Sequence, residues 1–192
     1  IWGFQNSNPG FSSNDEYVVF TAYRNFEQDI IVYNINENKT TNLTKTCISE
    51  TDPIWSPDGQ YIYFTSQRLK PSYPFGTSSA HVYRIALEKT DAPFRMDKFS
   101  ELFKEEKKDT TQKKNGAADS IAKKSLVIDQ DRLMERIEQV SPQFGQQFLQ
   151  QVYQKADKTT VLFSSNHAEG QYSLWKTTIE PFEQNKTERI AG

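Results

Sequence analysis

Hydrophobic and polar positions recur along this chain in a fixed order. Residues 8–24 read NPGFSSNDEYVVFTAYR and residues 52–68 read DPIWSPDGQYIYFTSQR, aligned at a constant offset of 44. Pro9/Pro53, Ser12/Ser56, Tyr17/Tyr61, Phe20/Phe64, Thr21/Thr65 and Arg24/Arg68 are identical, and Phe11/Trp55, Asn14/Asp58 and Val18/Ile62 are similar. A weaker third copy, DKTTVLFSSNH from Asp157 to His167, puts Phe163, Ser164 and Ser165 where Phe64, Thr65 and Ser66 fall. Self-similarity with a period of about 40–50 residues marks an array of like units.

Each copy predicts the same elements. A short strand carrying an aromatic (Phe11, Trp55) meets a tight turn. Asn14-Asp15 and Asp58-Gly59 suit that turn because such residues accept positive φ or bond their own backbone, and Pro57 presets φ. Second strands follow at Tyr17–Ala22, Tyr61–Ser66 and Thr160–Ser165, then third strands at Asp29–Ile35, His81–Leu87 and Tyr172–Thr178. More polar fourth strands are expected at Thr41–Lys45, Arg136–Val140 and Thr187–Ile190. The third copy lacks the Trp-Ser-Pro-Asp-Gly turn, and its first strand is placed at about Gln147–Tyr153.

Val18-Val19-Phe20 and Ile62-Tyr63-Phe64 are apolar at consecutive positions. A strand with one wet face would alternate, so these strands belong to sheets covered on both sides. Four-stranded antiparallel sheets that repeat and cover one another are propeller blades. The expected fold is all-β: a partial β-propeller of about three blades. A β-sandwich is the competing geometry, and it leaves the 44-residue repeat unexplained. The units are expected at residues 1–51, at 52–93 with 126–141, and at 142–192.

Residues 94–125 form a charged insertion, expected to be partly helical or disordered. Positions 98–124 hold eight lysines and five acids. Phe99, Leu102 and Phe103 suit a short amphipathic helix, and the remainder reads as solvated linker. A nucleic-acid or membrane contact competes with this reading. The interspersed acids dilute the field, and no aromatics interleave with the lysine pairs at 107–108, 113–114 and 123–124.

Composition sharpens the picture. The 192 residues are 35% hydrophobic, with mean hydropathy -0.76, yet 13% aromatic. A wholly disordered chain would lack those aromatics. A net charge of -2 argues against a nucleic-acid binder. No stretch approaches the roughly 20 apolar residues of a membrane helix. One cysteine, Cys47, excludes an internal disulfide and a cysteine-rich zinc site. The chain begins at Ile1, which suggests an excerpt from a longer protein.

Candidate chemistry is sparse. His81 and His167 lack the neighbours of a metal site, and no metal or cofactor is expected. Gly-x-Ser-x-Gly is absent. Ser120 and Lys123 have Ser-x-x-Lys spacing but sit in the charged insertion, where nothing excludes water. Asp52 and Asp58 invite an acid–base reading, and turn or strand-entry chemistry explains both better. Asn38, Asn42 and Asn185 head glycosylation-type triplets. Arg24, Arg68 and His167 hold one position in three repeats. They are candidates for a cationic ring that binds peptides or partners; the competing reading has each tying down its own loop.

The phrase DPIWSPDGQYIYFTSQR resembles the short propeller repeat of the TolB, prolyl-oligopeptidase and tricorn families. The stretch LVIDQDRLMERIEQVSP, Leu126 to Pro142, resembles a segment of tricorn-like serine peptidases. There an Ile-Asp motif, here Ile128 and Asp129, follows a charged insertion, and a strand with an arginine, here Arg136, completes a blade. The resemblance implies a six-bladed amino-terminal propeller in a parent whose catalytic serine and histidine lie in later domains. No family catalytic residue falls on a position of this chain. The repeat-motif residues Phe11, Trp55, Asp58, Gly59, Phe20, Phe64 and Phe163 are then structural. The implied role is non-catalytic, guiding or gating peptides or unfolded segments and contacting the parent's other domains. A TolB-like protein-binding module is the alternative, and a dipeptidyl-peptidase-type parent a weaker one. Three blades leave two apolar end faces, for which self-association is expected. The tricorn resemblance points to a cytoplasmic parent, with an exported one equally open.

Overall fold

Both well-matched repeats build one turn with the same bonds. The Ser12 hydroxyl donates to Asn14 Oδ1 at 2.7 Å and accepts from Tyr17 N at 3.0 Å. The Ser56 hydroxyl donates to Asp58 Oδ1 at 2.5 Å and accepts from Tyr61 N at 2.9 Å. Asp15 and Gly59 take the left-handed conformation at the same step, with φ 60° and 72°. A Cβ on Gly59 would also lie 2.8 Å from the end of the Leu126 side chain, which would have to move aside. Asp58 is thereby a turn residue. Asp52 (φ 55°) sits at a bulge in its strand, bonded by the Thr51 hydroxyl.

These turns begin the sheets of an all-β partial propeller. The computed structural model describes residues 8–24, 26–71, 79–89, 126–167 and 170–191. Blade 1 pairs β1 (Gly10–Phe11), β2 (Tyr17–Arg24), β3 (Glu27–Asn34) and β4 (Lys39–Asn42) in chain order. Blade 2 pairs β5 (Glu50–Trp55), β6 (Tyr61–Ser66), β7 (His81–Ala86) and β8 (Ile137–Gln139). Blade 3 pairs β9 (Gln147–Lys155), β10 (Lys158–Ser165), β11 (Ser173–Ile179) and β12 (Lys186–Ala191). All pairings are antiparallel. The charged insertion, with Phe99, Leu102, Phe103, Ser120 and Lys123, lies outside the described residues.

Strand ends shift from the expected bounds by a few residues, and three of the differences are instructive. Glu50 and Thr51 belong to β5, hence to blade 2. The fourth strand of blade 1 is Lys39–Asn42: Asn42 Oδ1 accepts from the amides of Thr44 and Lys45, and Lys45 turns to positive φ, which ends the pairing. Arg136 closes a 3-10 turn, Leu133–Arg136, instead of starting the fourth strand. Its guanidinium turns back to the Asp129 carbonyl and carboxylate and reaches the Leu87 carbonyl. Asp129 N donates to that same Leu87 carbonyl at 2.9 Å. Chain re-entering after the insertion is thus clamped to the end of β7.

Strand alternation assigns every core residue a side. Ile62 and Phe64 share one cluster with Val19, Ile30, Val32 and Leu43 of blade 1. Tyr63, from the other face of β6, joins Val140, Leu149, Val152, Val161 and Phe163 at blade 3. Consecutive apolar residues of β6 therefore serve two junctions, and all three are buried. Side-chain periodicity of two, read over a doubly covered sheet, gives the unbroken apolar run of the sequence.

Candidate functional site

Arg24 and Arg68 leave the ends of β2 and β6, and His167 follows β10. In each sheet this is the end where the second strand turns back to the third. The connections β4–β5 and β8–β9 pass the same end. Arg24 Nε donates to Asp29 Oδ2 at 2.7 Å, and Asn42 Nδ2 donates to that oxygen at 2.7 Å. Arg68 Nη2 donates to Glu50 Oε1 at 2.5 Å. The His167 ring stacks on Phe144 at 4.1 Å and meets Trp175 edge-on at 6.0 Å. Three equivalent positions thus have three different anchors, each fixing its own loop. Arg24 keeps 48% of its side chain exposed, Arg68 only 21%.

Both acid partners are buried. Burial pushes the Glu50 carboxyl above its ordinary range; the Arg68 guanidinium and the Thr44 hydroxyl partly offset this, and the Asp29 charge adds to it. Asp29 and Glu50, from two blades, therefore sense one another across the junction.

Sequence reading missed why Glu50 lies there. Ile30 N donates to the Thr44 hydroxyl and Leu43 N to the Ile30 carbonyl. Val82 N donates to the Ser141 hydroxyl and Val140 N to the Val82 carbonyl. Ser141 donates in turn to Gln147, the residue that, like Glu50, opens a blade's first strand. Glu50 pairs with Ser66 in register and Gln147 with Ser165. One clasp therefore joins successive blades, written in the sequence as Leu43-Thr44-x5-Glu50 and Val140-Ser141-x5-Gln147. The spacing is a repeat signal that comparison of the strands alone passes over.

Glu50, Ser66 and His81 form one row across β5, β6 and β7. The residue types match a hydrolytic triad, but the geometry does not serve one. All three are buried between blades, and the Ser66 hydroxyl and His81 Nδ1 lack hydrogen-bond partners, so no base engages the hydroxyl. Burial also lowers the His81 pKa from its ordinary value, favouring the neutral ring.

Exposed aromatics at this end also escaped the sequence reading. Phe26, in the β2–β3 turn at φ 73°, is 79% exposed. Tyr23 and Tyr172 are half exposed, and Tyr172 lies 5.8 Å from Phe148 while its hydroxyl donates to Gln146. Together with Arg24 they offer stacking faces and a cation at the β2–β3 turn of blade 1 and before β11 of blade 3. Among the described residues no group of three or more metal-binding side chains occurs, and no helix is long and apolar enough to cross a membrane. Asn42 and Asn185, two of the glycosylation-type asparagines, spend their side-chain amides on Asp29 and on the Val140 carbonyl.

No known protein-family model matches the chain, and no curated protein matches it either. Solved structures do. The crystal structure of the tricorn protease superposes with TM-score 0.54 at 12% identity, covering 96% of this chain and 18% of that one. TolB from Acinetobacter baumannii gives TM-score 0.53 at 15% identity, covering 97% and 32%. A putative TolB from Agrobacterium tumefaciens gives 0.53 at 16%, covering 98% and 51%. The chain therefore spans about a fifth to a half of the proteins it resembles, and the likeness is one of fold.

Proposed function

We propose that this chain is a non-catalytic β-propeller segment of a tricorn-like serine peptidase, its blades guiding or gating peptide substrates and contacting other parts of the parent. The observation that carries this reading is the return of the chain into blade 2. Ile128 packs on the core of the first junction, and Arg136 grips Asp129 beside Leu87. These are the residues through which the sequence resembles the tricorn-like segment. Similarity in fold to the tricorn protease agrees with it. In this reading the end that carries Arg24, Phe26, Tyr23 and Tyr172 meets extended polypeptide: rings stack on side chains, and the arginine meets acidic groups.

A TolB-like protein-binding module is the second reading, favoured by equal superposition on two TolB structures. The parent reading frame separates the two: a downstream serine-peptidase domain supports the first, its absence the second. For the guiding role, the test is fluorescence anisotropy of labelled unfolded casein with the purified chain. Binding without cleavage, weakened by the double substitution Arg24→Ala and Phe26→Ser, is expected. No binding, or cleavage abolished by Ser120→Ala, would contradict it.

A further inference from the structure

Five of the eight buried side-chain polar atoms that have no hydrogen-bond partner among the described residues gather in blade 2: Glu50 Oε2, Ser66 Oγ, Arg68 Nε, His81 Nδ1 and the Tyr83 hydroxyl. Glu50 pairs with Ser66 and Ser66 with His81, so the three stand side by side on one face of the sheet. Phe64 and Tyr83, two residues along the same strands, set that face against blade 1. The row is interior: Glu50 is 0% exposed, Ser66 1% and His81 6%, so residues of this junction make its surroundings. Unpaired polar atoms at such depth are costly. Neighbours in register lie about 4.5–5.5 Å apart at Cβ, close enough for side-chain rotation to join them.

Counting donors shows what the row lacks. An ionised Glu50 only accepts, and so does Nδ1 of a neutral His81 whose ring proton is on Nε2. Ser66 has one hydrogen and can serve only one of the two. One added proton completes the row: Glu50 Oε2–H donates to Ser66 Oγ, and Ser66 Oγ–H donates to His81 Nδ1. The surroundings favour that placement. Burial disfavours the Glu50 carboxylate; the Arg68 guanidinium and the Thr44 hydroxyl partly offset this, and the Asp29 charge from β3 adds to it. Burial also favours the neutral His81 ring, against the Ser79 backbone. Arg24, from β2, is engaged by Asp29, and Tyr83 lies within reach of the Arg68 charge. In blade 3 the corresponding row is Gln147, Ser165 and Ser173, which holds no titratable group.

We infer that Glu50, Ser66 and His81 form a proton-gated clasp between blades 1 and 2. Ionised, Glu50 is held by Arg68 at 2.5 Å. On taking one proton from solvent, Glu50 turns Oε2–H to Ser66, Ser66 turns its hydrogen to His81, and the ion pair with Arg68 is lost. Acidification thus frees Arg68 at the end of β6, while the junction of blades 2 and 3 stays as it is. The inference stands independently of the peptide-guiding role.

Nuclear magnetic resonance of the 192-residue chain, titrated from pH 4 to 8, tests it. The Glu50 carboxyl carbon should titrate with a midpoint above its ordinary 4.5. His81 should stay neutral through that step with its proton on Nε2, and its Nδ1 resonance should shift as Glu50 takes up the proton. The Arg68 Nε resonance should move with the same midpoint. Ser66→Ala should leave Glu50 titrating and abolish the Nδ1 response. Glu50→Gln, whose amide donates to Ser66 at every pH, should hold Nδ1 in its hydrogen-bonded state throughout. A Glu50 midpoint at or below 4.5, a His81 proton on Nδ1, or an Nδ1 or Arg68 resonance indifferent to Glu50 would each overturn the inference. So would an Nδ1 response that survives Ser66→Ala. The wild-type titration decides alone if either variant fails to fold.

Discussion

At the junction of blades 1 and 2, Glu50 opens the first strand and faces Arg68; at the junction of blades 2 and 3, Gln147 opens it and the counterpart of Arg68 is His167. The backbone clasp is the same: a hydroxyl (Thr44, Ser141) accepts a third-strand amide and stands at the side chain that begins the next blade. What differs is charge. Gln147 donates to the Pro142 and Phe144 carbonyls and accepts from Ser141, so a neutral amide is satisfied within its own loop. Glu50 has the Thr44 hydroxyl beside it but otherwise relies on an arginine, and its Oε2 and Arg68 Nε are left without hydrogen-bond partners. The clasp therefore needs shape and a hydrogen bond, and the ion pair is one local way of supplying them. Buried pairs seldom out-stabilise neutral packing, although breaking one is costly.

The comparison breaks first at the aromatic slots. Phe64→Ala and Phe163→Ala each remove a fully buried ring from a junction and should cost about 3–5 kcal/mol in urea unfolding. Phe20→Ala, in the same slot but only half-buried and facing no blade among the described residues, should cost less, about 1–2 kcal/mol. Equal losses at Phe20 and Phe64 would show that the slots are not equivalent.

Next comes the clasp. Glu50→Ala strands Arg68 and should cost about 3 kcal/mol. Glu50→Gln, which copies the second junction, should cost about 1 kcal/mol or less. Gln147→Ala leaves the Ser141 hydroxyl and two carbonyls unpaired and should cost about 1–3 kcal/mol. If Glu50→Gln proves as damaging as Glu50→Ala, charge rather than shape holds the first junction.

Dependence on pH sharpens the same contrast. Burial raises the Glu50 pKa above its ordinary 4.5, so the stability it contributes is complete below 4.5 and is lost as pH rises through the shifted value. Burial lowers the His81 pKa below its ordinary 6.5, so its contribution is complete above 6.5 and is lost as pH falls through the shifted value. Urea midpoints measured from pH 4 to 8 should therefore show Glu50→Gln removing a loss on the rising side. His81→Asn should remove a loss on the falling side. Identical profiles for wild type and both variants would contradict the assignment.

Arg24→Ala should have the smallest effect, below about 1 kcal/mol. Half of Arg24 is already in water, and Asp29 keeps the Asn42 amide and Thr46 N as donors. Thermal unfolding of Arg24→Ala beside Arg68→Ala measures the difference, with the larger drop at Arg68.

Much of the fold was legible because it rests on local signals. The Ser12 and Ser56 turns, the apolar runs of β2 and β6, and the offset of Phe20 and Phe64 all lie within short windows. Strands of blade 3 followed even without the turn motif, since β9 and β10 are joined simply through Ala156 and Asp157, Ala156 taking φ 54°. The site was less legible, because its partners meet only through register. Glu50 lies 18 residues before Arg68, and Ser66 and His81 become neighbours by pairing across a long loop. Arg136 looked like a strand residue because its neighbours pair with β7; its own side chain answers to Asp129, seven residues back. The exposure of Phe26 follows from a turn geometry that no short motif announced.

The central claim is that one β6 strand serves two junctions while, among the described residues, β2 serves one. Nuclear Overhauser contacts in the chain with labelled aromatic and methyl groups test it directly. The account predicts contacts within one molecule from the Phe64 ring to the Val19 and Val32 methyls and from the Tyr63 ring to the Val161 methyls, with the Phe20 ring making neither set. Contacts of Phe20 and Phe64 to one shared group of methyls within a molecule would contradict it.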